Sequence, residues 1–79
     1  MKRESMKLSE LTNQDTALIT NINSTLDLKH RLNSFGIFKG TNVKVENISL
    51  SKNTMTIEVE HTSIALRMDE ADTIEVEKQ

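Results

Sequence analysis

Two hydrophobic periods divide this chain. Leu28, Leu32 and Phe35 stand at i, i+4 and i+7, with Lys29, His30, Arg31 and Asn33 between them. That spacing draws one apolar stripe along a helix. Ser24 offers an N-cap oxygen, Asp27 follows three residues on as a capping-box acid, and Gly36 stands where a left-handed residue ends a helix. A short amphipathic helix is therefore predicted over residues 25–35, with Phe35 on its buried face.

Beyond the helix the period falls to two. Val43 and Val45 alternate with Lys44 and Glu46; Met55, Ile57 and Val59 with Thr56, Glu58 and Glu60; Ile64 and Leu66 follow, then Ile74 and Val76 among Thr73, Glu75 and Glu77. Each run reads as a half-buried strand. Ser51-Lys52-Asn53 is a hairpin turn, and Asp69-Glu70-Ala71-Asp72 a tight turn or one helical turn. Ile48 is out of phase with Val43 and Val45, which predicts a bulge or a sharp bend there. Ahead of the helix, Thr16 to Ile22 is a further strand, and Leu8 and Leu11 suit one helical turn over the core. Residues 1–5 hold no apolar pattern and are expected as a loose tail, leaving one domain over residues 6–79. Five short strands and one or two short helices near the N-terminus make a mainly β fold. The expected form is a small, strongly bent antiparallel barrel, closed by a meeting of first and last strands. Closure would remove the exposed edges.

Composition narrows the chemistry. At 79 residues there is room for one compact domain. No cysteine is present, which excludes disulfides and thiolate metal sites, and two histidines are too few for a zinc knuckle. No apolar run is long enough to span a membrane, and the basic start lacks the apolar core of a signal peptide. The net charge of −2 hides an asymmetry: residues 1–57 hold eight bases and five acids, +3, and residues 58–79 two bases and seven acids, −5. So polarised a surface can orient a protein against a partner, although its plainer role is solubility.

Taken in order, several segments resemble one family. They are Met6-Lys7-Leu8-Ser9-Glu10-Leu11, then Ala17 to Ile22, then Arg31-Leu32-x-x-Phe35-Gly36-Ile37-x-x-Gly40-x-x-Val43-x-Val45, and finally Ile64-Ala65-Leu66-Arg67-x-x-x-Ala71-x-x-Ile74-x-Val76. The ordered set, covering about residues 6–77, is similar to the FeoA family. Three features depart from its usual pattern. Phe35-Gly36-Ile37 stands for Leu-Gly-Phe, Lys39 takes the place of a proline, and the hairpin after Ile48 lacks proline and glycine. The resemblance implies an SH3-like barrel in the cytoplasm beside FeoB, a ferrous-iron transporter with a cytosolic G-protein domain. FeoA-like domains also end iron-dependent repressors. This chain has no room for their DNA-binding half, so a free-standing protein is expected.

Catalysis has little to stand on: there is no cysteine nucleophile, no nucleophile elbow and no phosphate loop, and Gly36 and Gly40 read as a helix cap and a turn. No enzyme and no cofactor are expected. Glu58 and Glu60 share a solvated strand face opposite Ile57 and Val59. Histidine with carboxylate suits ferrous iron, but His61 beside Glu60 and Glu58, or the Asp69-Glu70-Asp72 cluster, would hold a divalent ion only weakly, and no metal site is expected. Without tryptophan or tyrosine and with an acidic balance, nucleic acid is disfavoured. A protein partner remains, with no direct membrane insertion, and a weak homo-oligomer is compatible with it. The candidate contact residues are Lys29 and Arg31 on the helix and Ile37, Phe38 and Lys39 in the loop that follows. Phe38 either stands out as an apolar anchor or folds back over the barrel's end. The alternative function is a small metal-responsive or nucleic-acid-binding barrel.

Overall fold

In the computed structural model residues 5–79 are described. The tail expected over residues 1–5 lies outside them save for Ser5, which belongs to the first strand. The elements run β1 (Ser5–Lys7), a 3-10 turn (Leu8–Glu10), β2 (Thr16–Ile22), α1 (Leu26–Ser34), β3 (Asn42–Ile48), β4 (Thr54–Val59), β5 (Thr62–Arg67), α2 (Met68–Ala71) and β6 (Ile74–Lys78). The six strands pair antiparallel in one sheet of order β1-β6-β2-β3-β4-β5.

Two corrections to the expected barrel follow. The sheet has six strands rather than five, because Ser5-Met6-Lys7 pairs with Glu77-Val76-Glu75. With Met6 half-buried between exposed neighbours, β1 is a strand too short for period two to show in the sequence. The sheet is also not closed. The expected first and last strands, β2 and β6, do meet, but β1 and β5 are outer strands that do not pair with each other. β1 and β5 therefore remain edge strands of the sheet.

The alternation expected in the strands is the alternation that fills the core. Ala17, Ile19, Val43, Val45, Met55, Ile57, Val59, Ile64, Leu66, Ile74 and Val76 are all buried, joined by Leu8 and Leu11 from the first turn and Leu32 from α1. Two bulges adjust the register. Glu46 is the extra residue between the pairs Val45↔Ile57 and Asn47↔Thr56, which accounts for the lost phase at Ile48. Thr20 is extra between Ile19↔Val76 and Asn21↔Glu75, so burial on β2 passes from Ile19 to Ile22.

Thr25, not Ser24, caps α1: its Oγ1 accepts from the Leu28 amide at 3.3 Å, and the helix starts one residue later than expected. Asp27 still lies in the first turn, beside the positive end of the helix dipole. At the other end the Gly36 amide donates to Asn33 O (3.0 Å) and the Ile37 amide to Leu32 O (3.1 Å), with Gly36 at φ +87°. This is a Schellman close, and it turns the chain so that Ile37 enters the core beside Leu32. Phe35, expected inside, is 39% exposed, and the Arg31 guanidinium lies 5.8 Å from its ring centroid.

The loop before β2 is held by a carboxylate. Asp15 Oδ2 accepts from the Thr12 amide (2.8 Å) and hydroxyl (2.9 Å), and Lys78 Nζ lies 3.7 Å from Oδ1. The Thr12 amide, then its hydroxyl, hold the Asp15 carboxyl below its ordinary 3.8; desolvation opposes them and Lys78 adds to them. A carboxyl lowered on folding contributes stability that is complete above 3.8 and is lost as pH falls through the folded value. The melting temperature of the wild type is therefore expected to fall more steeply than that of Asp15→Asn between about pH 5 and about pH 2. Parallel thermal melts of the two proteins check this, and equal slopes would show that other carboxylates dominate acid unfolding.

Candidate functional site

The loop that joins α1 to β3 sets the geometry of the site. The Thr41 amide donates to Phe38 O (3.1 Å) and the Phe38 amide to Thr41 Oγ1 (3.3 Å), closing a four-residue turn with Gly40 at φ +93° in its third place. That is the arrangement of a type II turn, whose third residue must tolerate a positive φ and whose second favours proline. Lys39 holds the second place. The Gly40 amide donates to Ile19 O (2.7 Å) and the Ile19 amide to Thr41 O (2.9 Å), so the turn is pinned against β2.

Between this turn, β2 and α1 lies a cleft of about 270 Å³ lined by Asn21, Ile22, Lys29, Asn33, Phe38 and Lys39. Three of the five expected contact residues, Lys29, Phe38 and Lys39, thus share one concavity. Phe38 is 49% exposed and stands out rather than closing over the sheet. Arg31 is on the surface but engaged elsewhere. Its Nη1 donates to Glu70 Oε2, which ties α1 to α2 and points it away from the cleft's lining. Ile37 is wholly buried and offers no side chain to a contact surface.

The acidic and histidine groups weighed as metal ligands are placed differently from each other. Glu60 and His61 form the two-residue turn between β4 and β5, both at positive φ (48° and 69°), so Glu60 does not continue the Glu58 strand face. With Glu58 they border an open depression of about 430 Å³. Glu70 is buried and bound to Arg31, while its Oε1 accepts from the Arg67 amide at 3.0 Å as the cap of α2. Asp72 accepts from the Ser9 hydroxyl. Among the described residues no group of three or more histidine, cysteine, aspartate or glutamate side chains is arranged to hold a metal ion. No described helix is long and apolar enough to cross a membrane.

Two exposed apolar residues escaped the sequence reading. Leu26, at the first position of α1, is 67% exposed, and Leu50, at the tip of the β3–β4 hairpin, is fully exposed. Leu26 lies about one turn before Lys29 and two residues before Leu28, on a helix whose apolar stripe it does not join. That mismatch with the i, i+4 pattern is the signal that marks it. Leu50 stands among Ser49, Ser51 and Lys52, where a lone apolar residue has no strand partner to pack on.

Comparison with known proteins places this arrangement. The sequence pattern of one family, described as FeoA domain, matches residues 6–78. A Campylobacter jejuni protein provisionally named Fe(2+) transport protein A is 44% identical over 71 residues, which is 90% of this chain and 96% of that protein. A crystal structure described as iron uptake regulatory protein (FeoA) superposes with a TM-score of 0.88 over 96% of this chain and 100% of its own, and at 24% identity the likeness concerns the fold. The IdeR protein of T. acidophilum contains the same fold in 36% of its chain, matching 100% of this one at 28% identity and a TM-score of 0.86.

Proposed function

This chain belongs to the FeoA domain family, and from that membership we propose that it is a non-catalytic accessory protein of ferrous-iron uptake that binds the FeoB transporter in the cytoplasm. The contact runs through α1 and the loop 36–41. The observation that carries this reading is Phe38, an aromatic ring half-exposed on a glycine-flanked turn and set beside two lysines. Exposed aromatic anchors with a polar rim are what protein contacts favour. The name of the Campylobacter jejuni relative supports the process. An adaptor of this kind acts by differential binding: it shifts the transporter toward whichever conformation of its G-protein region it binds better.

The test is biolayer interferometry against the cytosolic G-protein domain and against full-length FeoB, each with GDP and with a GTP analogue. Binding that changes with nucleotide is expected. The pair Phe38→Ala and Lys29→Glu is expected to weaken it at least about tenfold, the loss typical of one anchor residue, while circular dichroism stays that of the wild type. Undiminished affinity in a folded double variant would move the contact away from this surface.

The presence of this fold within T. acidophilum IdeR favours a second reading, a metal-responsive regulatory domain. Calorimetric titration with ferrous iron separates the two. Stoichiometric, micromolar binding by the isolated chain would replace the adaptor reading with this one.

A further inference from the structure

The cleft beside Phe38 carries information on what enters it. Its apolar lining comes from Ile22, which is buried, and Phe38, which is half-exposed. Its rim holds two cations and two side-chain amides, and none of the six lining residues is acidic. Among the described residues the ion pairs are Arg31–Glu70 and Lys78–Asp15, and neither Lys29 nor Lys39 joins them. Asn21 Nδ2 donates to Asn23 Oδ1 (2.8 Å), and Asn23 Nδ2 in turn donates to Glu75, a carboxylate that does not line the cleft. In a chain of net charge −2, a concavity that sets two lysines outside any ion pair beside Ile22 and Phe38 is a local inversion of the protein's own charge.

From this we infer that the cleft takes an acidic segment of a protein partner, with one apolar side chain seated against Phe38 and Ile22 and flanking carboxylates meeting Lys29 and Lys39. Size argues for a single side chain, since about 270 Å³ lies just below the range of small-molecule sites. The amide groups of Asn21 and Asn33 can each donate to a carboxylate or a peptide carbonyl. A nucleic acid would meet the same lysines, but the cleft presents a single ring, and the acidic remainder of the surface repels a polyanion longer than the cleft. The inference rests on the adaptor reading for the place of contact and adds the chemistry of what is recognised.

Its test uses probes that do not depend on FeoB. An acetylated dodecapeptide repeating Glu-Leu-Asp, the same peptide with Gln and Asn for the acids, and a twelve-nucleotide oligothymidylate are each titrated into the ¹⁵N-labelled protein at low salt. The acidic peptide is expected to shift the amides of residues 21, 22, 29, 33, 38 and 39 and to bind about 3- to 10-fold more tightly than the neutral one, the sum of two exposed ion pairs. That advantage should disappear in Lys29→Gln/Lys39→Gln, survive in Lys29→Arg/Lys39→Arg, and fall as salt is raised. Equal affinity for both peptides, an absence of shifts in the cleft, or a stronger response of the same amides to the oligonucleotide would each overturn it. The two readings fail separately. Loss of FeoB binding with the acidic preference intact removes the adaptor, whereas FeoB binding untouched by Lys29→Gln/Lys39→Gln removes the acidic segment.

Discussion

Ile37→Ala is expected to destabilise the domain by about 2–5 kcal/mol, while Phe38→Ala, one residue along, costs about 1 kcal/mol or less. The two side chains lie on opposite sides of the same turn. Ile37 is wholly buried beside Leu32, and its amide closes the Schellman motif, so truncation leaves a cavity that the pinned loop cannot collapse to fill. Phe38 is half in water already. Against a total stability of about 4–12 kcal/mol for a domain this size, the first change removes a large share and the second very little. Urea unfolding monitored by circular dichroism measures both. A Phe38→Ala midpoint as low as that of Ile37→Ala would mean the ring supports the fold, and any loss of partner binding in that variant would then say nothing about contact.

Glu70→Ala carries the next largest effect, about 1–3 kcal/mol. Glu70 is the acidic residue buried at the junction of α1 and α2, where one oxygen accepts from the Arg67 amide and the other from Arg31. Alanine strands the Arg67 amide and frees Arg31 from α2, leaving α1 attached through Leu32, the half-buried Leu28 and its C-terminal turn. Arg31 is about half exposed and can be rehydrated, which holds the cost below that of a fully buried ion pair. Glu70→Gln keeps an acceptor for Arg67 and is expected to lose less than half as much. Amide hydrogen exchange gives the sharper signature. In Glu70→Ala the α1 amides should exchange faster by a larger factor than those of β4, because the tie that is cut belongs to the helix. Uniform acceleration across both elements would show that Glu70 acts on the whole fold instead.

How far the chain could be read before its structure was known depended on how far each signal reached. The strands from β3 to β6 were legible because each alternation persists for several residues and one face is wholly buried, so the pattern and the packing coincide. Gly36 was legible because a helix stripe stops at it. Phe35 and Ile37 were exchanged because the 3.6-residue period holds only while the backbone is helical. At Gly36 the chain reverses hand, and the residue next to enter the core is set by that reversal and not by the stripe. β1 escaped because three residues carry too little alternation, and its partner β6 lies at the far end of the chain. Glu60-His61 concealed a tight hairpin turn because it carries none of the glycine, asparagine or aspartate that usually marks a two-residue hairpin. At the candidate site, Lys29, Phe38 and Lys39 were legible as types of residue. That Arg31 would be drawn off by Glu70, thirty-nine residues away, is a matter of tertiary proximity that no local spacing contains.

The turn at Phe38–Thr41 divides its duties between neighbours, and this bears on how such a protein can diversify. Gly40 alone answers for the backbone's handedness, and the hydrogen bonds to Ile19 hold the loop in place whatever side chain precedes it. Position 39 is thereby released from any structural obligation beyond an ordinary φ. Exchange of lysine for the proline common in the family would stiffen the turn and erase one rim charge in a single step, with the scaffold left as it was. Two copies of such a gene in one cell could part company at that codon, each keeping the same barrel-like frame while ceasing to compete for the other's partner.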